Sequence, residues 1–199
     1  MAIVQKSLRR VLATIVYAGP GLSGKTTNLT VLGGWLPRTK MTLFPTPTER
    51  TAFFDELPVQ IGLADGWQLV FKVQTVPGQA AYREARELVL RRPDGIVFVA
   101  DSDPRRIEAN ELALDEVTRL LVRGDRPLED VPAVFQYNKQ DVPGALSPGV
   151  LNGALNPGGA PWLLAEAHRG VGIVETLGLA VQRVTSALAA TYGFERLRG

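Results

Sequence analysis

The segment Gly19–Thr26, "GPGLSGKT", fits the pattern G-x-x-x-x-G-K-[ST] and constrains the fold more than any other part of the chain. An apolar run, "VLATIVYAG" (11–19), precedes it and reads as a buried strand. Residues 25–35, "KTTNLTVLGGW", follow it and read as a helix with Leu29 and Leu32 on one face. A strand, a glycine-rich turn and a helix in this order let backbone N–H groups curl around a phosphate, with the positive end of the helix aimed at it. The candidate phosphate-binding set is Gly19, Gly21, Leu22, Ser23, Gly24, Lys25, Thr26 and Thr27. Lys25 is placed to neutralise β- and γ-phosphate charge, and the Thr26 hydroxyl to reach a magnesium ion. Such a loop serves ATPases, small-molecule kinases and GTPases alike, so it fixes the fold class before it fixes the ligand.

The rest of the chain has the organisation that this loop requires. Strands are expected at 58–73 (a pair joined through "ADG"), 95–100, 133–137 and 162–167. Helices are expected at 81–92, 105–123 and 173–191. Residues 37–51, with three prolines, read as a long loop. Alternating strands and helices imply an α/β fold of three layers, a mostly parallel sheet with one antiparallel edge strand and helices on both faces. The 199 residues suffice for one such domain, spanning 1–199, and for no comfortable second one.

Composition narrows the partners. A net charge of +2 gives no reason to expect a nucleic-acid binder. The absence of cysteine excludes disulfides, thiol catalysis and cysteine-ligated zinc. No run of about 18 apolar residues is present, the N-terminus lacks a signal-peptide core, and Ala2 stands where myristoylation needs glycine. The expectation is a cytoplasmic protein with no intrinsic membrane anchor.

A second motif selects the base. "NKQD", Asn138–Asp141, directly follows the strand "AVFQY". The Asp141 carboxylate accepts two hydrogen bonds from guanine N1–H and its 2-amino group, and adenine offers neither. Asn138 is placed to bond guanine N7, and the stem of Lys139 to lie across the base. A third stretch, "TVPGQ" (75–79), ends the alternating run "WQLVFKV". Its Gly78 N–H is placed to sense a γ-phosphate and its Gln79 to orient attacking water.

With "GPGLSGKTT", "TVPGQ" and "NKQD" at these separations, the chain resembles the Ras-like small GTPases. "ERTAFFDELP" (49–58) and the threonine of "TVPGQ" make it most similar to the bacterial MglA-type branch, over essentially its whole length. The resemblance implies a six-stranded sheet with five helices, GTP/GDP and Mg2+ as ligands, a polarity or motility switch in the cytoplasm, and a roadblock-domain protein as GTPase activator. It says nothing about effectors. By the same resemblance Ala167, in "EAH" (166–168), stands where a backbone N–H meets guanine O6, beside His168, the only histidine. His168 reads as a loop histidine near the ribose side or in solvent, the alternative being a titrating role.

The first switch is expected around Thr51, as a magnesium and γ-phosphate ligand. Arg50 beside it is either an arginine finger supplied in cis, which the resemblance favours, or an exposed arginine paired with Glu49 or with a partner. Most Ras-like proteins carry an aspartate where this chain has Thr75. Asp55 is one candidate to restore that charge near the magnesium, and a solvated strand-end acid is the other reading. Three functions remain in play at this point: a hydrolysing switch using Gln79, Lys25 and Arg50, a GTP/GDP-binding scaffold without turnover, and a P-loop small-molecule kinase.

Overall fold

The computed structural model describes residues 2–35, 56–62, 66–76 and 83–192. Among them the chain forms β1 (Ile3–Gln5), β2 (Arg10–Ala18), α1 (Lys25–Trp35), β3 (Glu56–Gly62) and β4 (Gln68–Thr75). It continues through α2 (Arg83–Leu90), β5 (Gly95–Asp101), α3 (Ile107–Arg123), β6 (Ala133–Asn138) and α4 (Pro148–Leu155), and closes with β7 (Trp162–Ala165) and α5 (Ile173–Tyr192). The long loop expected at 37–51, the residues Arg50, Thr51 and Asp55, and Gly78 and Gln79 lie outside the described residues.

The sheet runs β3-β4-β2-β5-β6-β7. Its last five strands are mutually parallel, and β3 pairs antiparallel with β4, Glu56 opposite Gln74 and Gly62 opposite Gln68. This is the mostly parallel sheet with an antiparallel edge strand that the motif order predicts. A seventh strand, β1, is additional. It pairs antiparallel with Arg10–Leu12 of β2, while β5 pairs with Ile15–Ala18 of the same strand. Since β4 runs along β2 from Arg10 to Tyr17, β1 and β5 share the remaining edge.

Every residue of β5 and of β6 is buried, because helices cover both faces of the sheet there. On one face Ile15, Tyr17, Phe71, Val97 and Val134 pack with Leu29 and Leu32 of α1 and Leu177 and Val184 of α5. On the other, Val16, Phe98, Phe135 and Tyr137 pack with Leu90 of α2, Leu120 and Leu121 of α3, and Leu151 and Leu155 of α4. The three layers follow directly from the period-two alternation of side chains along each strand.

By length and composition alone α5 is long and apolar enough to cross a membrane, although Glu175 and Arg183 interrupt it and no unbroken apolar run of about 18 residues is present. Its buried residues, Ile173, Thr176, Leu177, Ala180 and Val184, recur at helical spacing and lie against the sheet. That stripe is the mark of a helix packed on a core.

Candidate nucleotide-binding site

The motifs converge at the carboxyl ends of the parallel strands, where open α/β sheets bind their ligands. The loop 19–24 leaves β2 and enters α1. Gly19, Leu22 and Gly24 all have positive φ, at 134°, 66° and 100°. Alternation of such residues with ordinary ones turns successive N–H groups toward a common centre. Leucine at 22 occupies this region despite its Cβ, and its side chain projects outward, 88% exposed.

Lys25 opens α1 and folds back over the loop. Its Nζ donates to the carbonyls of Gly19 at 2.9 Å and Pro20 at 2.6 Å. Burial, with help from nearby Arg86, lowers its pKa from 10.5 to about 8. Lys25 is therefore a desolvated cation whose hydrogen-bond partners among the described residues are neutral carbonyls, which is the electrostatic setting an incoming phosphate would relieve. Thr26 stands next to it, exposed on the first turn of α1, and Thr27 follows, partly buried. The residues fit a phosphate chain with its magnesium. Among the described residues no cluster of three acidic or histidine side chains stands ready for a cation.

On the base side, Asn138 at the end of β6 is 1% exposed and bonded at both ends of its amide. Its Nδ2 donates to the Ser23 carbonyl at 2.7 Å, and its Oδ1 accepts from the Ala167 N–H at 2.9 Å. It thus ties the phosphate loop to the segment 166–172. A Cβ on Gly24 would fall on this amide, so only glycine allows the approach. The Ala167 N–H, expected to meet guanine O6, is engaged by Asn138 in this arrangement. Lys139, at φ 68°, places its Nζ 2.7 Å from Asp101 Oδ2. Asp141 faces His168 Nε2 at 3.7 Å, and the His168 side chain is 57% exposed. The lone histidine therefore stands against the carboxylate expected to read guanine.

Comparison with known proteins fits this geometry. Residues 3–188 match the model of the ADP-ribosylation factor family. The chain belongs to the ADP-ribosylation factor family of small GTPases. It is 39% identical over 191 residues to mutual gliding-motility protein MglA of Myxococcus xanthus (strain DK1622), covering 94% of this chain and 98% of that one. It is 34% identical over 98 residues to ADP-ribosylation factor-like protein 4D of Homo sapiens, 49% of this chain and 46% of that one. It is 33% identical over 87 residues to ADP-ribosylation factor-like protein 6 of Caenorhabditis briggsae, 44% of this chain and 45% of that one. This is an MglA-type, Ras-like member of the ADP-ribosylation factor family, and a GTP-binding switch protein.

Within this small GTPase the structure also reveals residues that motif reading passes over. Asn28 of α1 and Gln136 of β6 exchange two amide hydrogen bonds of 2.9 Å each. Gln136 Nε2 also donates to Thr176 Oγ1 of α5 at 3.0 Å, Asn28 Nδ2 to the Gly24 carbonyl at 3.0 Å, and Thr176 Oγ1 to the Gly172 carbonyl. All three side chains are 0% exposed. The network joins the phosphate loop, the strand carrying Asn138 and the turn before α5. Its sequence signal is a glutamine inside the apolar run "AVFQY" and an asparagine on the buried face of α1. At the far end of α1, the Trp35 ring lies over Gly170, where a Cβ would collide with it.

Thr75 ends β4, 3% exposed and paired with Tyr17 of β2. It is a hydroxyl where the resemblance to Ras-like proteins leads one to expect a carboxylate.

Proposed function

We propose that this small GTPase, a single G domain over 1–199, hydrolyses GTP to GDP and phosphate and signals through nucleotide-dependent loops in the cytoplasm. The observation that carries the reading is Lys25, a buried cation held by loop carbonyls, in a strained nest that Asn138 joins to the guanine-reading loop. Lys25 and the loop N–H groups hold the β- and γ-phosphates, and Asp141 reads guanine with Asn138 and Lys139 supporting it. Thr26, with Thr51 and Asp55, is the candidate set for magnesium, which when bound neutralises charge on the phosphate oxygens. Gln79 orients a water whose oxygen attacks the γ-phosphorus. The bond from that phosphorus to the bridging oxygen breaks, GDP leaves, and the water's proton ends on the released phosphate.

The likeness to a protein named for mutual gliding motility suggests a role in polarity or motility, and the family resemblance suggests a roadblock-domain activator. In that scheme Arg50 reaches the γ-phosphate when the partner orders residues near 44–56. Arginine fingers contribute on the order of 10³ to 10⁵ in rate. Single-turnover GTP hydrolysis with saturating partner is therefore expected to lose most of its stimulation in Arg50→Ala, with GTP affinity nearly intact. Full stimulation of that variant would assign the finger to the partner or dispense with one.

Thr75 favours a second reading, a GTP-binding scaffold without turnover, because it brings no charge to the magnesium side. Absence of phosphate release from wild type, with and without partner, would select it.

A further inference from the structure

Arg106 lies outside every nucleotide motif, yet it reaches the phosphate loop. The chain leaves β5 at Asp101 and makes a single 3-10 turn, Pro104–Arg106, which Asp103 caps by accepting from the Arg105 N–H. This turn swings Arg106 back over the carboxyl end of the sheet. Its Nη2 donates to the Gly21 carbonyl at 2.8 Å, across 85 positions of sequence. Its Nε is buried and lies 3.8 Å from Asp101 Oδ2, an ion-pair distance too long for a hydrogen bond.

Asp101 is fixed from several sides. It is 1% exposed, and its backbone exchanges two hydrogen bonds with the buried Asn110 side chain. Its Oδ1 accepts from the Asp103 N–H, and its Oδ2 accepts from Lys139 Nζ at 2.7 Å. One buried carboxylate therefore stands between a cation that touches the phosphate loop and a cation of the guanine motif.

The peptide that Arg106 grips joins Gly21 to Leu22. In a trans peptide the carbonyl and the following N–H point in opposite directions. A carbonyl held from behind turns the Leu22 N–H to the other side. Leu22 is also the residue with a Cβ in the left-handed region, so this conformation is unfavourable for the free chain and needs an external restraint. Asn138 does the equivalent for the Ser23–Gly24 peptide: by holding the Ser23 carbonyl it orients the Gly24 N–H.

We propose that Arg106 is a positioning residue of the phosphate loop, a guanidinium clamp oriented by Asp101 that holds the Gly21–Leu22 peptide in its anion-binding orientation. The clamp rests on the nucleotide-binding reading above. Lysine is a poor substitute, because one ammonium cannot span both Asp101 and the Gly21 carbonyl as a planar fork does.

The test measures release of a fluorescent GDP analogue and, by competition, equilibrium affinity for GDP and for GMP, which lacks the β-phosphate. Arg106→Gln is expected to release GDP on the order of tenfold faster and to lose more affinity for GDP than for GMP. Arg106→Lys is expected to recover less than half of that loss. Arg105→Gln, at a neighbouring guanidinium that is 87% exposed on Asp103, is the control and is expected to stay within about twofold of wild type. A merely destabilised fold lowers the affinity for GDP and GMP in equal proportion. Equal loss, or GDP release from Arg106→Gln within twofold of wild type, would overturn the clamp. Failure of the wild-type protein to bind GDP would instead overturn the nucleotide reading on which the clamp rests.

Discussion

Strands β6 and β3 are both in the sheet, yet they stand in opposite physical situations. In β6 every residue is buried, two parallel neighbours flank it, and it delivers Asn138 to the base side of the site. In β3 no residue is fully buried, and among the described strands only β4 pairs with it. The residue expected to open the guanine-reading motif is therefore set into the core. The antiparallel edge, which leads out of the segment expected to hold the first switch, is attached by one ladder and half-covered side chains. Regions of low local burial are where segments open or shift at small cost. The contrast sets rigidity at the end of β6, where the motif expected to read guanine begins, against compliance at the edge strand that follows the segment expected to hold the first switch.

The largest effect is expected at the end of β6. Asn138→Ala leaves the Ser23 carbonyl and the Ala167 N–H without their partner, each at about 1–3 kcal/mol. Fluorescence titration should show GDP affinity reduced about a hundredfold. A variant that still binds like wild type would mean the tie between the loops is ornamental. Next comes Gln136→Leu, which strands the Asn28 amide in the core and is expected to cost about 2 kcal/mol in urea unfolding.

Lys25 supplies a test through pH. Its pKa is about 8 in the nucleotide-free fold against 10.5 as the ordinary value. Because the unfolded chain holds this proton more tightly, the nucleotide-free protein gains stability as pH rises from about 8 to 10.5. Phosphate raises the Lys25 pKa again, so above pH 8 binding takes up a proton and GDP affinity falls by up to about tenfold per pH unit. A flat profile from pH 7 to 9 would show that Lys25 stays charged in both states.

The smallest effect belongs to β3. Glu56 pairs with Lys72 across the β3–β4 ladder at 2.6 Å, with both side chains about half exposed. Glu56→Gln is expected to change unfolding free energy by roughly 0.5 kcal/mol or less. Should it cost as much as Gln136→Leu, the contrast between the two strands is false.

Periodicity located β2 and α1 closely, because a continuous apolar run and a glycine-bounded helix are strong local signals. Two elements were not legible. β1 has three residues, too few for a pattern, and forms only because β2 offers a free edge. α4 hides in "SPGVLNGAL", whose glycines lower helix propensity. Yet Ser147 caps it by accepting from the Val150 N–H, and Pro148 sits where a first-turn proline is tolerated. Other boundaries moved by a few residues: α3 starts at Ile107 because Pro104–Arg106 is a 3-10 turn, and β7 stops at Ala165 because Glu166 bridges to Val171.

In the site, motif spacing reveals which side chains face the ligand and not which ones hold them there. The sequence offers Asn138 as a candidate base contact, while its grip on Ser23 and Ala167 depends on a pairing 115 and 29 positions away. Arg106 and Gln136 are further cases, each acting through contacts that exist only after the sheet has assembled.

The contact between Trp35 and Gly170 has an optical consequence. The chain has only three tryptophans. Trp35 is the last residue of α1, immediately before the segment expected to carry the first switch, and its ring is seated on the loop beside the guanine site while 56% exposed to solvent. An indole so placed is a built-in emission probe. Any change in the spacing between these two segments alters its contact with solvent and therefore its colour and yield, so Trp35 emission is the readout by which such a change on nucleotide exchange is to be tested on the unlabelled chain, with Trp35→Phe as the blank.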